Sequence, residues 1–293
     1  MSARPGSPNT PPLCEIEGLR IGFRTHDGTL VEAVRDLSLS LAPGERLGVV
    51  GESGSGKSLT GRALLGLLPA AAQWRAKALR FDGRDLLALN ARERRRLCGG
   101  AMAMILQDPK YSLNPVMTVG KQMAEAFRLR EPGLRGRALR ERIVGALASV
   151  EIRDPARVAD AYPHELSGGM GQRVMIAMMV STGPRLLVAD EPTSALDVAV
   201  SMQVLAVLDD MIARHRTGLV FISHDLQLVT SFCDRVAVMY AGRVVETCAA
   251  RDLARASHPY TRGLLAATPP LVNPPDELPV LERDPAWLAE AAR

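Results

Sequence analysis

Gly51-Glu52-Ser53-Gly54-Ser55-Gly56-Lys57-Ser58 fits the pattern G-x-x-x-x-G-K-[ST] at every position. Glycines so spaced let backbone N–H groups turn inward on phosphate oxygens. A helix starting at the end of the loop aims its positive end at the same anion. Lys57 is placed to reach the β- and γ-phosphates of a nucleoside triphosphate, and Ser58 to ligate Mg²⁺. Far downstream, the apolar run Leu186 to Ala189 ends in two carboxylates, Asp190 and Glu191. That pair suits phosphoryl transfer: Asp190 would hold Mg²⁺, directly or through water, and Glu191 would polarise the attacking water.

These residues need strands and helices to hold them. Arg46 to Val50 reads as a short apolar strand running into the loop, and Leu59 to Leu68 as a helix ended by Pro69. Leu13 to Phe23 and Asp36 to Leu41 alternate apolar and polar residues, the period of a half-buried strand. From about Asn114 to Val180 the pattern is mostly helical. Leu186 to Ala189 and Leu219 to Ser223 suit buried parallel strands. Arg235 to Tyr240 and Arg243 to Cys248 flank Ala241-Gly242 and read as a hairpin.

Composition narrows the class. The 293 residues suffice for one large domain or two small ones, and the 47% apolar content is that of an ordinary globular protein. Net charge is +4, from 36 basic and 32 acidic residues, too small to argue for nucleic acid. The densest basic cluster, Arg92 to Arg96, reads as a solvated helix face. Cys14, Cys98, Cys233 and Cys248 include no C-x-x-C pair, which removes the usual zinc and iron–sulfur spacings. No apolar run approaches the roughly 18 to 20 residues of a membrane span, and the polar, Pro-rich opening is no signal peptide. The expectation is a cytoplasmic protein with reduced thiols, held at a membrane, if at all, by something else.

Four further motifs occur around these two. Gln107 precedes Asp108-Pro109; Leu166-Ser167-Gly168-Gly169 is followed by Gln172-Arg173; Ser194-Ala195-Leu196-Asp197 follows the paired acids; His224 stands in Ile222-Ser223-His224-Asp225. Taken in order, over about residues 13 to 268, they resemble the ATP-binding subunit of an ABC transporter. That resemblance implies an α/β fold: a RecA-like P-loop ATPase core with an antiparallel β subdomain and an inserted α-helical signature subdomain. The cassette would span residues 13–255, with its helical part at about 108–180, between a disordered leader (1–12) and a C-terminal tail (256–293).

It also implies ATP and Mg²⁺ as cofactors. Gly51, Glu52, Ser53, Gly54, Ser55, Gly56, Lys57, Ser58 and Leu59 would surround the phosphates, and Gln107 would join Ser58 and Asp190 at the metal. Glu191, Gln107 and His224 would serve hydrolysis, with His224 sensing the γ-phosphate. Two cassettes would pack head to tail, so that Ser167, Gly168 and Gly169 of one meet the γ-phosphate on the other's loop, and Asp197 would couple the two sites. Phe23, 28 residues before Gly51, is either the ring that stacks on adenine or a buried strand residue. Gly171 stands where the family usually has a polar or basic residue; glycine inside a helix costs roughly 1 kcal/mol relative to alanine, which would loosen the first turn of the signature helix.

Ser112-Leu113-Asn114-Pro115, Met170, Arg173 to Met178, His258-Pro259-Tyr260-Thr261-Arg262 and Leu264-Leu265 resemble the dipeptide, oligopeptide and nickel importer branch. The last motif, read locally, is a turn and helix start with Pro259 in the first helical position. The branch implies two membrane permease subunits, a second ATP-binding subunit (different or identical), an external solute-binding protein, no nucleic acid, and work at the cytoplasmic face of the inner membrane. Peptide is the first cargo implied, and nickel, free or chelated, the alternative. The stretch Gln107 to Pro115, with Leu113 as its apolar contact, would dock a short helix of a membrane subunit. No cysteine follows Cys248, so the four-cysteine cluster of some relatives is not expected. Non-transport members that act on nucleic acid carry long heptad coiled coils, and this chain shows no sustained heptads.

Overall fold

The computed structural model describes residues 11–108, 112–194 and 196–268, together with Asp284 and Trp287. Most of the expected leader and tail therefore lies outside the described residues, as do Pro109 and Ala195. The chain divides into two compact units, residues 1–88 with 220–293, and residues 89–219.

The first unit opens with β1 (Cys14–Arg24), β2 (Leu30–Leu41), β3 (Arg46–Val50), α1 (Lys57–Leu65), β4 (Gln73–Arg75), β5 (Ala78–Phe81) and β6 (Arg84–Asp85). The second contains α2 (Ala91–Leu97), β7 (Met102–Ile105), α3 (Val119–Arg130), α4 (Gly136–Ser149), α5 (Pro155–Asp160), α6 (Gly168–Ser181), β8 (Leu186–Asp190) and α7 (Val198–His215). Along β9 (Gly218–Ile222) the chain re-enters the first unit, which continues through α8 (Leu226–Phe232), β10 (Arg235–Tyr240), β11 (Arg243–Ala249) and α9 (Pro259–Ala266).

Two sheets build the first unit. One is antiparallel, ordered β2-β1-β5-β6 with β4 also on β1. Its strands alternate buried and exposed residues, as one covered face requires. In the other, β3 lies between β9 and β10; it pairs parallel with β10, which turns antiparallel onto β11. The turn residues Ala241 and Gly242 both have positive φ, 45° and 84°, as a two-residue hairpin turn demands. Ser223, just past β9, donates its N–H to the Val49 carbonyl, so the carboxyl ends of β3 and β9 lie side by side. Loops at such ends are where open α/β sheets bind ligands.

In the second unit, β7 and β8 pair in parallel, Ile105 opposite Ala189, and every residue of both is buried. The helices bury one face each at four-residue spacing: Val119, Met123 and Phe127 on α3, Leu139, Ile143 and Leu147 on α4. Asn90 caps α2 in a full capping box, and its Arg92, Arg95 and Arg96 are exposed, the solvated face expected.

Two expectations need correction. The first helix ends at Leu65, not Leu68, because Gly66 adopts the left-handed conformation (φ 69°) and its N–H closes on the last turn before Pro69 is reached. The strand expected at Asp36 to Leu41 begins at Leu30: Asp36, with φ 52°, is an irregularity within a longer strand, which hid the first half of its alternation.

Candidate nucleotide-binding and catalytic site

The phosphate loop joins the end of β3 to α1, both in the first unit. Gly56 caps α1 with φ 97°. Lys57 is buried, and its ammonium donates to the carbonyls of Gly51 (2.8 Å) and Glu52 (2.7 Å). Gly51 has φ 146°, and a Cβ there would lie 2.1 Å from the Met239 carbonyl oxygen. Gly54, with φ 80°, has open space where its Cβ would be. The loop is thus fixed at its base against β10 and open at its crown. No acid occupies the first turn of α1, so its N-terminal potential stays positive. An open, backbone-lined crown beside a buried ammonium fits a polyphosphate. Of the other residues expected in this unit, His224 is exposed just past β9, and Phe23 is half-buried near the end of β1.

The paired acids stand in the second unit. Asp190, the last residue of β8, is buried. Glu191 follows with φ 47°, a strained conformation for a non-glycine residue. The Gln107 amide donates to its carboxylate at 2.8 Å. Sequence places these two 84 residues apart; the β7–β8 pairing brings them together, because each lies just past the carboxyl end of its strand. The Ser194 hydroxyl donates to the Glu191 carbonyl at 3.0 Å, bracing the turn.

The expected signature residues open α6. Ser167 is its N-cap, its hydroxyl accepting from Met170 N–H (3.3 Å). Ser167 and Gly168 are exposed, a Cβ at Gly168 would meet nothing within 4 Å, and the first turn holds no acid. Helix α6 runs unbroken through Gly171, which is buried. Asp197 caps α7 through its carboxylate, accepting from Val200 N–H at 2.9 Å.

The ABC transporter family model matches residues 34–194. The dipeptide transport ATP-binding protein DppD of Escherichia coli (strain K12) is 46% identical over 267 residues, covering 91% of this chain and 81% of that protein. The chain belongs to the ABC transporter family. The oligopeptide transport ATP-binding protein OppD of Bacillus subtilis (strain 168) is 43% identical to this ABC cassette over 90% of its length and 74% of that protein. Among solved structures, the dimeric ATP-binding cassette MJ0796, in a post-hydrolysis state bound to ADP and Pi, shares the fold at a TM-score of 0.73 and 22% identity, over 81% of this chain and 99% of that one. The fold is the RecA-like P-loop ATPase type, and the ABC cassette is an ATPase.

Two features of the cassette were not assigned from its sequence. Gln172, fully buried on α6, donates its amide to the Pro192 carbonyl at 2.8 Å, tying the signature helix to the residue after Glu191. A buried glutamine on an otherwise apolar helix face was its only sequence signal. The second concerns the stretch expected to dock a membrane subunit: its expected apolar contact, Leu113, is only 5% exposed. Gln122 holds this loop by accepting from Asn114 N–H (2.8 Å) and donating to the Asn114 and Met117 carbonyls (both 3.0 Å), which turns Leu113 inward. Among the described residues of this loop, Val116 offers an apolar side chain to solvent, 79% exposed.

The residues expected at the metal, Ser58 in the first unit and Asp190 and Gln107 in the second, offer only oxygen donors: a hydroxyl, a carboxylate and an amide oxygen. Among the described residues no group of three or more His, Cys, Asp or Glu could hold an ion. So sparse a set fits Mg²⁺, which keeps several waters and uses one or two carboxylates with substrate phosphates. Burial pushes the Cys14 thiol up to about 12 and raises Cys233, Cys98 and Cys248 as well, which leaves no thiolate nucleophile in the cassette at neutral pH.

Proposed function

We propose that this chain is the ATP-hydrolysing subunit of an importer of di- and oligopeptides. It would act at the cytoplasmic face of the inner membrane with two permease subunits, a second ATP-binding subunit and, indirectly, an external solute-binding protein. The observation that carries the cargo class is the similarity to DppD and OppD over about nine-tenths of the chain. Among the described residues no helix is long and apolar enough to cross a membrane. Nickel, free or chelated, is the competing cargo.

In this reading Lys57 leaves the Gly51 and Glu52 carbonyls for the β- and γ-phosphates, while loop N–H groups and the start of α1 hold the remaining charge. Ser58, Asp190 and Gln107 would hold Mg²⁺, which when bound neutralises charge on the phosphate oxygens. Glu191 orients and deprotonates the attacking water; the Gln107 amide keeps its carboxylate aimed. His224 takes the γ-phosphate as its contact. Ser167, Gly168 and Gly169 serve the nucleotide of the partner cassette. The exposed, acid-free N-terminus of α6 supports that role, since fixed donors act on developing charge only when something closes on them. Val116 presents an apolar contact to a permease helix.

The test is uptake of labelled dipeptides, longer peptides and nickel by cells with and without this subunit. Loss of peptide uptake alone is expected. Loss of nickel uptake alone would reassign the cargo.

A further inference from the structure

The motif at residues 258–262 connects physically to the phosphate loop. On β11 the Glu246 carboxylate accepts from Ser257 N–H (2.7 Å), the Ser257 hydroxyl (3.0 Å) and His258 N–H (3.3 Å). His258 then caps α9, its Nδ1 accepting from Tyr260 N–H at 3.1 Å, with Pro259 in the first turn. These contacts fix Tyr260, which is fully buried. Its ring packs on Tyr240 at 4.4 Å, and Trp287 stands edge-on to both rings at 5.8 and 5.9 Å.

The Tyr260 hydroxyl reaches the loop and accepts from Glu52 N–H at 3.1 Å, across 208 residues of sequence. The carbonyl of that same peptide unit, Gly51 C=O, accepts from Lys57 at 2.8 Å. The Gly51–Glu52 peptide is therefore held from both ends. One hold is conditional, because a lysine that moves to phosphate releases both carbonyls it now caps. The other is independent of the ligand, because it comes from a packed helix.

We propose that Tyr260 is a positioning residue for the nucleotide: its hydroxyl keeps the Gly51–Glu52 peptide oriented when Lys57 leaves it for the triphosphate. The proposal rests on reading residues 51–58 as the phosphate loop. It gives the 258–262 motif a role in ATP affinity, separate from the hydrolytic groups on β7 and β8.

The test uses the full chain, alone and in the assembled transporter, with Mg-ATP as ligand and Tyr260→Phe and Lys57→Ala as variants. Phenylalanine keeps the ring packing and removes the hydroxyl, and with it the acceptor for the Glu52 N–H. The expected result is a rise of roughly 3- to 10-fold in both Kd and KM for ATP, the worth of one hydrogen bond, with kcat within about twofold. Deuterium exchange at the Glu52 amide should quicken in the same variant. An unchanged Kd and KM, even with a lowered melting temperature, would mean a merely structural tyrosine. Lys57→Ala separates the two levels: if it binds ATP like the parent, the loop assignment fails, whereas if it loses ATP and Tyr260→Phe does not, only the Tyr260 proposal fails. The unaltered protein supplies a check that no folding defect can spoil. Its Glu52 amide should exchange slowly with or without ATP, and rapid exchange without ATP would overturn the proposal.

Discussion

Gly51→Ala and Gly54→Ala differ by one methyl group each in the same loop, yet should have very different consequences. Both sites have positive φ, 146° and 80°, which costs an L-residue about 1–2 kcal/mol in the left-handed region. At Gly54 that is the whole penalty, since its Cβ would meet nothing within 4 Å. For a chain of this size about 1 kcal/mol moves Tm by roughly 2–4 °C, so Gly54→Ala should melt only a few degrees below the parent. At Gly51 the new Cβ would sit 2.1 Å from the Met239 carbonyl oxygen, against ordinary contacts of about 3.5 Å. Relief needs a shift of more than ~1 Å between the loop and β10, and neither is a flexible side chain. Gly51→Ala should therefore lose several kcal/mol, melt about 10 °C or more below the parent, and bind ATP at least tenfold more weakly. Thermal melts with and without Mg-ATP measure both quantities. Equal melting temperatures for the two variants would show that the loop base is not fixed against β10.

Three other outcomes follow from named contacts. Ser167→Arg, in a complex whose partner cassette is intact, should slow hydrolysis at the partner's nucleotide by at least tenfold while this chain's own loop still binds ATP; loss of binding at its own loop would place the signature within one chain. Val116→Asp should impair assembly with the permease or transport without destabilising the fold, whereas Leu113→Asp buries a carboxylate and should lower Tm; a Val116→Asp transporter with normal uptake would remove the docking assignment. Burial pushes the Glu246 carboxyl up, but the neighbouring Thr261 hydroxyl and hydrogen bonds from Ser257 and His258 outweigh it and hold the group below its ordinary 4.5. Its contribution to stability is thus complete above about pH 4.5 and drains away as the pH falls toward the lower folded value. Glu246→Gln should flatten that acid limb of the Tm-against-pH curve, and an unchanged limb would count against the turn's dependence on this charge.

Much of the core was legible because its strands are short, apolar and sharply bounded. Strand β3 has the bounds expected, Arg46 to Val50, and the Ala241-Gly242 hairpin turn is where its dipeptide places it. Other elements gave weaker signals. Strands β4 to β6 have two to four residues each and draw their stability from pairing with neighbours, not from an apolar period. Strand β7 is four buried residues next to an arginine-rich helix, too short to tell from a loop. Within each unit, the contacts at the candidate residues are longer in range still. Gln107 meets Glu191 through a strand pairing, and Tyr260 meets Glu52 through a helix cap and a ring stack. Motif order names such residues, but local pattern cannot state which of them touch.

In the proposed function Glu191 is the base for hydrolysis of an ATP that Lys57 holds. Its most direct test is single-turnover hydrolysis in the assembled transporter with Glu191→Gln, alongside ATP binding measured on the same preparation. A positioned base contributes about 10²- to 10⁴-fold, so binding should stay within a few-fold of the parent while the hydrolytic rate falls by at least 100-fold. Hydrolysis at the parent rate, with ATP bound normally, would rule out Glu191 as the base.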